Sequence, residues 1–418
     1  MNDTPELHVG TFKVPVNMLL SWRAAVELVF AERDRKAEPL AGLDSVVRQV
    51  LGRLRHAEPV EYVYLIASPR DVRARLNVHG YTEQHCRLRW KAARDELAAR
   101  RRRWAEREGE KPDASADALE NMTWEEWLAG VREPLPPTPT RRGPRRRRPW
   151  HATDLVGIIS DPIVSLRLML EALEEPVWLN CDYLYLYEED TSVSPHDLAR
   201  QHEAMSSRWP EGRITVLTEG RSDARLISAA LRALHPELTD AFQFLDFDEF
   251  RLEGGASPLA RMVKGLAGTK MGSRILALFD NDAAGVEAMQ ELSTLRLPPN
   301  VCVMALPGIP LARRYPTLGP GGLTTMDVNG GAAAIELYLG KGPLTGADGL
   351  LRPVRWTEWR PKIGRYQGAV EGKQEVAQAF LRDLEAGGTP AALQRRFPDM
   401  DRLLRAMSAA FEDLPPSP

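Results

Sequence analysis

The sequence predicts an α/β protein in which a parallel sheet flanked by helices follows an N-terminal mixed α+β domain. Two observations predict this. Between Arg213 and Leu306 short apolar runs alternate without a break with helix-patterned segments, the rhythm of a parallel sheet covered on both faces. Ahead of them, from Leu7 to about Glu110, short apolar runs alternate with helical patterning in a less regular rhythm. At 418 residues the chain exceeds the size at which one core stops growing, so more than one domain is expected.

From the N-terminus, Val60 to Ala67 reads as a strand and Thr82 to about Arg107 as a long charged helix carrying Arg100 to Arg103. That basic run is either a solvated helical face or a nucleic-acid contact. Residues 1–107 are assigned to the N-terminal α+β domain. Residues 108–150, rich in Pro, Arg and Glu, read as an insertion or mobile linker, interrupted by a short helix over Met122 to Leu128 that starts at a Thr cap. Within it Arg141, Arg142 and the run Arg145, Arg146, Arg147 and Arg148 could neutralise phosphates without reading sequence, or simply be solvated. Residues 151–210 complete the first domain. They hold an expected amphipathic helix over Asp154 to Glu174, a strand over Val177 to Tyr187 with an aromatic face suited to core packing or base stacking, and a helix near Pro195 to Arg208.

In the core assigned to 211–310, strands are expected at Arg213 to Thr218, Phe242 to Asp246, Arg274 to Phe279 and Val301 to Leu306. Helices are expected at Ser222 to Leu234, Ala256 to Leu266 and Ala283 to Leu292. Ligands of an open parallel sheet bind beyond the carboxyl ends of its strands, and there the residues are acidic: Glu219-Gly220, then Asp246 and Asp248, then Asp280-Asn-Asp282-Ala-Ala-Gly285. Clustered carboxylates repel one another unless they share a hard cation, which predicts Mg²⁺, with Mn²⁺ as a substitute. Gly285 would let the next helix or a phosphate approach closely. The competing assignment is that Asp280 and Asp282 cap the following helix.

Glu219-Gly220-Arg221-Ser-Asp223, the pair Gly254-Gly255, and Asp280-Asn-Asp282-Ala-Ala-Gly285 together resemble the Toprim domain, a Rossmann-like fold found in topoisomerases, primases, recombination proteins and OLD-family nucleases. The resemblance covers about a quarter of the chain. It implies metal-dependent phosphodiester chemistry, with Glu219 as metal ligand or general acid/base and Asp280 and Asp282 as ligands. It also makes Gly220, Arg221, Asp223 and Gly285 candidates for phosphate or nucleic-acid contact. A looser likeness, carried by Val72 to Thr82 and by Tyr366 to Lys373, is to bacterial HEPN/Toprim-associated proteins suspected of roles in phage defence. An HEPN ribonuclease site is not expected, because Pro149 breaks the helix that Arg146 and His151 would need to share.

Residues 311–418 are expected to be a mostly helical extension completing the site. OLD-like nucleases hold a second metal through Ser-x-x-Glu. Here Glu336 matches the acidic position on an expected helix while Ala333 replaces the serine, so Glu336 is a metal ligand or a solvent-facing residue. Lys373 is either the transition-state cation of such nucleases or a surface lysine.

The expected activity is therefore an Mg²⁺-dependent endonuclease on DNA or RNA. The alternative is a non-catalytic module that binds nucleotide or nucleic acid. A topoisomerase or primase is disfavoured: there is no second cleavage module, and three scattered cysteines, Cys86, Cys181 and Cys302, cannot build a zinc module. Those cysteines also form no disulfide framework, which fits a cytoplasmic protein, and no apolar run suggests a signal peptide or membrane span. The net charge of −3 excludes a uniformly basic nucleic-acid binder and hides the local arginine runs. No Gly-x-x-x-x-Gly-Lys-Ser/Thr loop is present, so nucleotide-driven activation would need a protein partner. A homodimer would suit an enzyme that cuts two strands.

Overall fold

The computed structural model describes residues 6–14, 22–51, 61–108, 114–133, 151–159, 161–181, 194–198, 213–245, 253–269 and 273–412. The chain is a mixed α/β protein of two compact units, 1–208 and 209–414.

The first unit is built on five strands: β1 (Glu6–Val9), β2 (Phe12–Lys13), β3 (Arg35–Glu38), β4 (Tyr62–Ala67) and β5 (Val177–Asn180). They form a sheet in the order β2-β1-β5-β4-β3, antiparallel throughout. The two-residue period of β4 sends Val63, Leu65 and Ala67 to one face and Tyr62 and Tyr64 to the other, where they meet Trp178. Helices α1 (Trp22–Val29), α2 (Ser45–Leu51), α3 (Pro69–Val78), α4 (Glu83–Glu108), α5 (Ala114–Asn121), α6 (Trp124–Arg132) and α7 (Pro162–Ala172) complete this unit.

Two expectations change here. The segment expected as an amphipathic helix from Asp154 splits into a 3-10 turn over Ala152–Ile158 and α7, because Pro162 has no amide hydrogen and occupies the first turn that Asp161 caps. Helix α7 has almost no polar face: Ile163 to Leu170 are buried, Arg167 included, whose Nε donates to the Tyr81 carbonyl at 3.2 Å. The region expected as an insertion also contributes to the core. Thr123 is the predicted cap, Glu126 completes a capping box with it, and Trp90, Trp124 and Trp127 pack together at ring separations of 5.1 to 6.0 Å. On α4, Arg102 is tied to Asp117 and Glu120 of α5. His151 is buried and accepts the Thr153 amide at 3.2 Å. Arg145 to Arg148 lie outside the described residues, as do 182–187 of the expected aromatic strand.

The second unit contains β6 (Ile214–Leu217), α8 (Arg221–Leu234), β7 (Phe242–Phe244), α9 (Ala256–Gly268), β8 (Ile275–Phe279), a two-residue β9 (Asn281–Asp282), α10 (Ala283–Ser293) and β10 (Val301–Ala305). The longer strands form a parallel sheet in the order β10-β8-β6-β7, as the alternation predicts. Strand β8 is buried along its whole length, which is why it reads as an unbroken apolar run.

The extension is less helical than expected. It opens with β11 (Tyr315–Gly319), β12 (Gly322–Met326), β13 (Ala332–Ala333), β14 (Val354–Arg360) and β15 (Arg365–Val370). Four of these make a second sheet, β12-β11-β14-β15, and β13 pairs antiparallel with β9. The helix expected at Ala333 is instead that strand followed by a 3-10 turn, Ile335–Tyr338. Helices α11 (Lys341–Leu344), α12 (Lys373–Glu385), α13 (Pro390–Arg396) and α14 (Pro398–Ala409) follow. Among the described residues no helix is long and apolar enough to cross a membrane.

Candidate functional site

The carboxyl ends of β6 and β8 are neighbours in the parallel sheet, and the residues after them are joined directly. Glu219 Oε1 accepts the backbone N–H of Asp280 at 2.9 Å. On its other side the Glu219 carbonyl accepts the Gly255 N–H at 2.6 Å, and a Cβ on Gly254 would stand 3.1 Å from that carbonyl. Gly255 has φ +114°, open to glycine without strain, so the Gly254-Gly255 pair closes the second crossover onto Glu219.

Gly285 has an equally definite task. A Cβ there would lie 2.1 Å from the Asp280 carbonyl oxygen and 3.2 Å from Glu219 Oε1. The predicted close approach is therefore of α10 to the Asp280 backbone.

The two aspartates of the third strand end differ. Asp282 is the helix cap: its Oδ1 accepts the Gly285 N–H at 2.8 Å and its Oδ2 accepts Gln367 Nε2 at 2.5 Å. Asp280 makes no such cap. It is half-buried just after β8, and its carboxyl is pushed well above the usual range by burial and then by the charges of Asp223, Glu219, Asp282 and Glu336. Glu219 is pushed up to about 8, first by burial and then by Asp282, against the opposing Asp280 hydrogen bond. Asp223, in the first turn of α8, is pushed up to about 6 by burial and the Glu336 charge.

Glu336 and Lys373 belong to the same cluster. Glu336 is 5% exposed on its 3-10 turn, Lys373 Nζ lies 3.4 Å from its Oε1, and Oε2 is buried without a hydrogen-bond partner. Lys373 opens α12, and Gly372 before it adopts φ +68°. Burial opposes the lysine's charge, but Glu336, Asp280 and Asp223 hold its pKa above the ordinary value.

Gly220 is the N-cap of α8, with its carbonyl accepting Thr218 Oγ1 at 2.9 Å; Arg221 beside it is exposed. Asp246 and Asp248 lie outside the described residues. Sequence reasoning missed Gln367, whose Oε1 also accepts the Ala284 N–H at 2.8 Å, so one amide bridges β15 to the start of α10. It also missed Tyr338, whose hydroxyl donates to the Pro307 carbonyl at 2.7 Å beside the Glu336 turn. Neither residue type carries a sequence signal for such a role.

The donors suit Mg²⁺ in kind. They are all oxygens, their like charges crowd one another in a partly buried place, and Glu336 Oε2 has an unused acceptor. Among the described residues no three His, Cys, Asp or Glu side chains stand together as a ready-made ligand set. The carboxylates feel one another's charge without closing a cage. No protein-family model, no curated protein and no solved structure matches this chain.

Proposed function

We propose that the second unit is a Toprim-type, Mg²⁺-dependent nuclease that hydrolyses nucleic-acid phosphodiester bonds. The observation that carries the reading is the joining of two neighbouring strand ends, Glu219 Oε1 accepting the Asp280 N–H at 2.9 Å, with Asp223, Asp282 and the 3.4 Å ion pair of Glu336 with Lys373 near enough for their charges to act on Asp280. Carboxylates crowded together in partly buried positions are costly unless positive charge is brought to them.

Asp280 and Glu336 would hold the ion, with Glu219 beside them; Asp282 would orient the start of α10 while its oxygens stay committed to Gly285 and Gln367. When bound, Mg²⁺ supplies charge that neutralises phosphoryl oxygens and lowers the pKa of water. In hydrolysis a water oxygen adds to phosphorus and gives up a proton to solvent, the ester P–O bond breaks, and the leaving oxygen takes a proton. Glu219, beside the residues that would hold the ion, would give that oxygen its proton. Lys373 stabilises the charge developing there.

The capping role of Asp282 favours one second reading, a non-catalytic module that binds nucleotide or nucleic acid. Wild type, Asp280→Asn and Glu219→Gln, incubated with plasmid, single-stranded DNA and RNA in Mg²⁺, Mn²⁺ or chelator, separate the two. The nuclease reading expects metal-dependent cleavage that falls by about a hundredfold or more in both variants while their thermal transitions remain cooperative. Equal or metal-independent behaviour of the three proteins overturns it.

A further inference from the structure

We infer that the second sheet of this unit carries a binding groove for single-stranded nucleic acid, leading to the turn that bears the acidic site. This inference rests on the nuclease reading for its biological purpose and on separate residues for its chemistry. The groove, about 680 Å³, is lined by Trp356, Trp359 and Tyr366, by glycines, and by Arg365 and Asn329.

The aromatic wall depends on a local irregularity. Residues three apart on a regular strand point to opposite faces, yet Trp356 and Trp359 line the same groove. Their partners on β15 are Gly368 and Tyr366, two apart and therefore on one face. The register shift between Trp356 and Glu358 leaves Thr357 outside the strand pairing and brings both indoles to that face. Trp359 and Tyr366 are 51% and 55% exposed, with ring centroids 4.9 Å apart. Large aromatic rings left this open are poor core residues and good platforms for unstacked bases.

Charge and continuity identify the occupant. Arg365 and Asn329 also line an adjoining cavity of about 460 Å³ that includes Asn281, the residue between Asp280 and Asp282. A strand whose bases stack on the aromatic wall would therefore run past the Arg365 guanidinium, suited to phosphate, toward Asn281. Asp327 is the carboxylate in the wall, and its Oδ1 is engaged by the Asn329 N–H at 2.9 Å and Nδ2 at 2.8 Å. Duplex DNA keeps its base faces stacked and cannot use such a wall, so the ligand is a single strand.

The test is fluorescence anisotropy with fluorescein-labelled oligothymidylate, oligouridylate and a blunt DNA duplex, in chelator so that no cleavage occurs. The full chain is compared with Trp359→Ala, Tyr366→Ala and Arg365→Ala. Single strands are expected to bind more tightly than duplex, with each aromatic substitution weakening them by about tenfold. Arg365→Ala should lower the slope of log affinity against log salt by about 0.7. The two oligonucleotides distinguish a DNA from an RNA strand. Equal affinity for duplex, or unchanged single-strand affinity in both aromatic variants with cooperative thermal transitions, overturns the inference. Preserved nuclease activity with unaffected binding in these variants would reject the groove and leave the nuclease standing. Single-strand binding without any metal-dependent cleavage would do the reverse.

Discussion

Gln367 holds Asp282 in place across 85 residues of chain: its Nε2 donates to Asp282 Oδ2 at 2.5 Å while its Oε1 accepts the Ala284 N–H at 2.8 Å. The amide orientation is forced, since a carboxylate only accepts and a backbone N–H only donates. Gln367→Ala removes both bonds and should destabilise the protein by about 1.5–3 kcal/mol in urea denaturation, the range for a hydrogen bond to a charged group. Gln367→Glu keeps an acceptor for Ala284 but turns its other oxygen against Asp282. It should be the less stable of the two at neutral pH; the opposite order would show that the bridge does not act through Asp282.

Gly285→Ala tests the contact between α10 and the third strand end. Alanine favours a helix interior by about 1 kcal/mol over glycine. Here its Cβ would stand 2.1 Å from the Asp280 carbonyl oxygen, a backbone atom that cannot rotate away. Overpacking of this kind costs about 1–3 kcal/mol, so the net effect should be a lower urea midpoint. Because the same Cβ would press on Glu219 Oε1, nuclease activity should fall further than stability.

What could be read from sequence follows from what each element buries. Strand β8 is enclosed on both faces, so Ile275 to Phe279 is an unbroken apolar run and the acidic residue after it stands out. The cap made by Asp282 was legible as an alternative because a cap is a local interaction. Gln367 was not, because its partners lie far away in sequence and its side chain is polar like many surface residues. The second sheet was hidden for related reasons. Strand β12 is exposed at every residue, and the register shift in β14 breaks the two-residue period that would have announced it. Lys373 and Glu336 could be named as candidates, but only tertiary packing joins the α12 start to a buried 3-10 turn.

Away from the acidic site, His235 should give the second unit a pH-dependent component of stability. Its Nε2 lies 2.6 Å from Asp401 Oδ1 and its Nδ1 3.2 Å from Glu237 Oε1, so both ring nitrogens face acceptors and the imidazolium satisfies both. Burial works against that charge, but the hydrogen bonds to Glu237 and Asp401 outweigh it and raise the pKa above 6.5. The folded state therefore holds the proton more tightly than the unfolded chain. Its stabilisation is fully present below pH 6.5 and is lost as pH rises through the raised value. Denaturation of wild type and His235→Gln across that window should show wild type losing its advantage on the alkaline side. A gap between them that does not change with pH would remove the imidazolium from the explanation.

The ion pair of Lys373 with Glu336 makes the most direct prediction about catalysis. Lys373 is 45% exposed along its side chain and Glu336 is 7% exposed, so the lysine can reach a substrate while the glutamate depends on nearby cations. Lys373→Met leaves a buried carboxylate without its partner, and the protein should lose stability in chelator. Mg²⁺ should then stabilise Lys373→Met more than wild type, because the ion supplies the missing charge. A lysine that only balanced Glu336 would allow metal to restore cleavage along with stability. A lysine that also stabilises the departing oxygen predicts that cleavage at saturating Mg²⁺ stays about a hundredfold or more below wild type even where the thermal transition has recovered. Lys373→Arg, which keeps the charge, should retain most of the stability and part of the rate. Full recovery of the Lys373→Met rate in Mg²⁺ would therefore confine Lys373 to the role of a counter-ion.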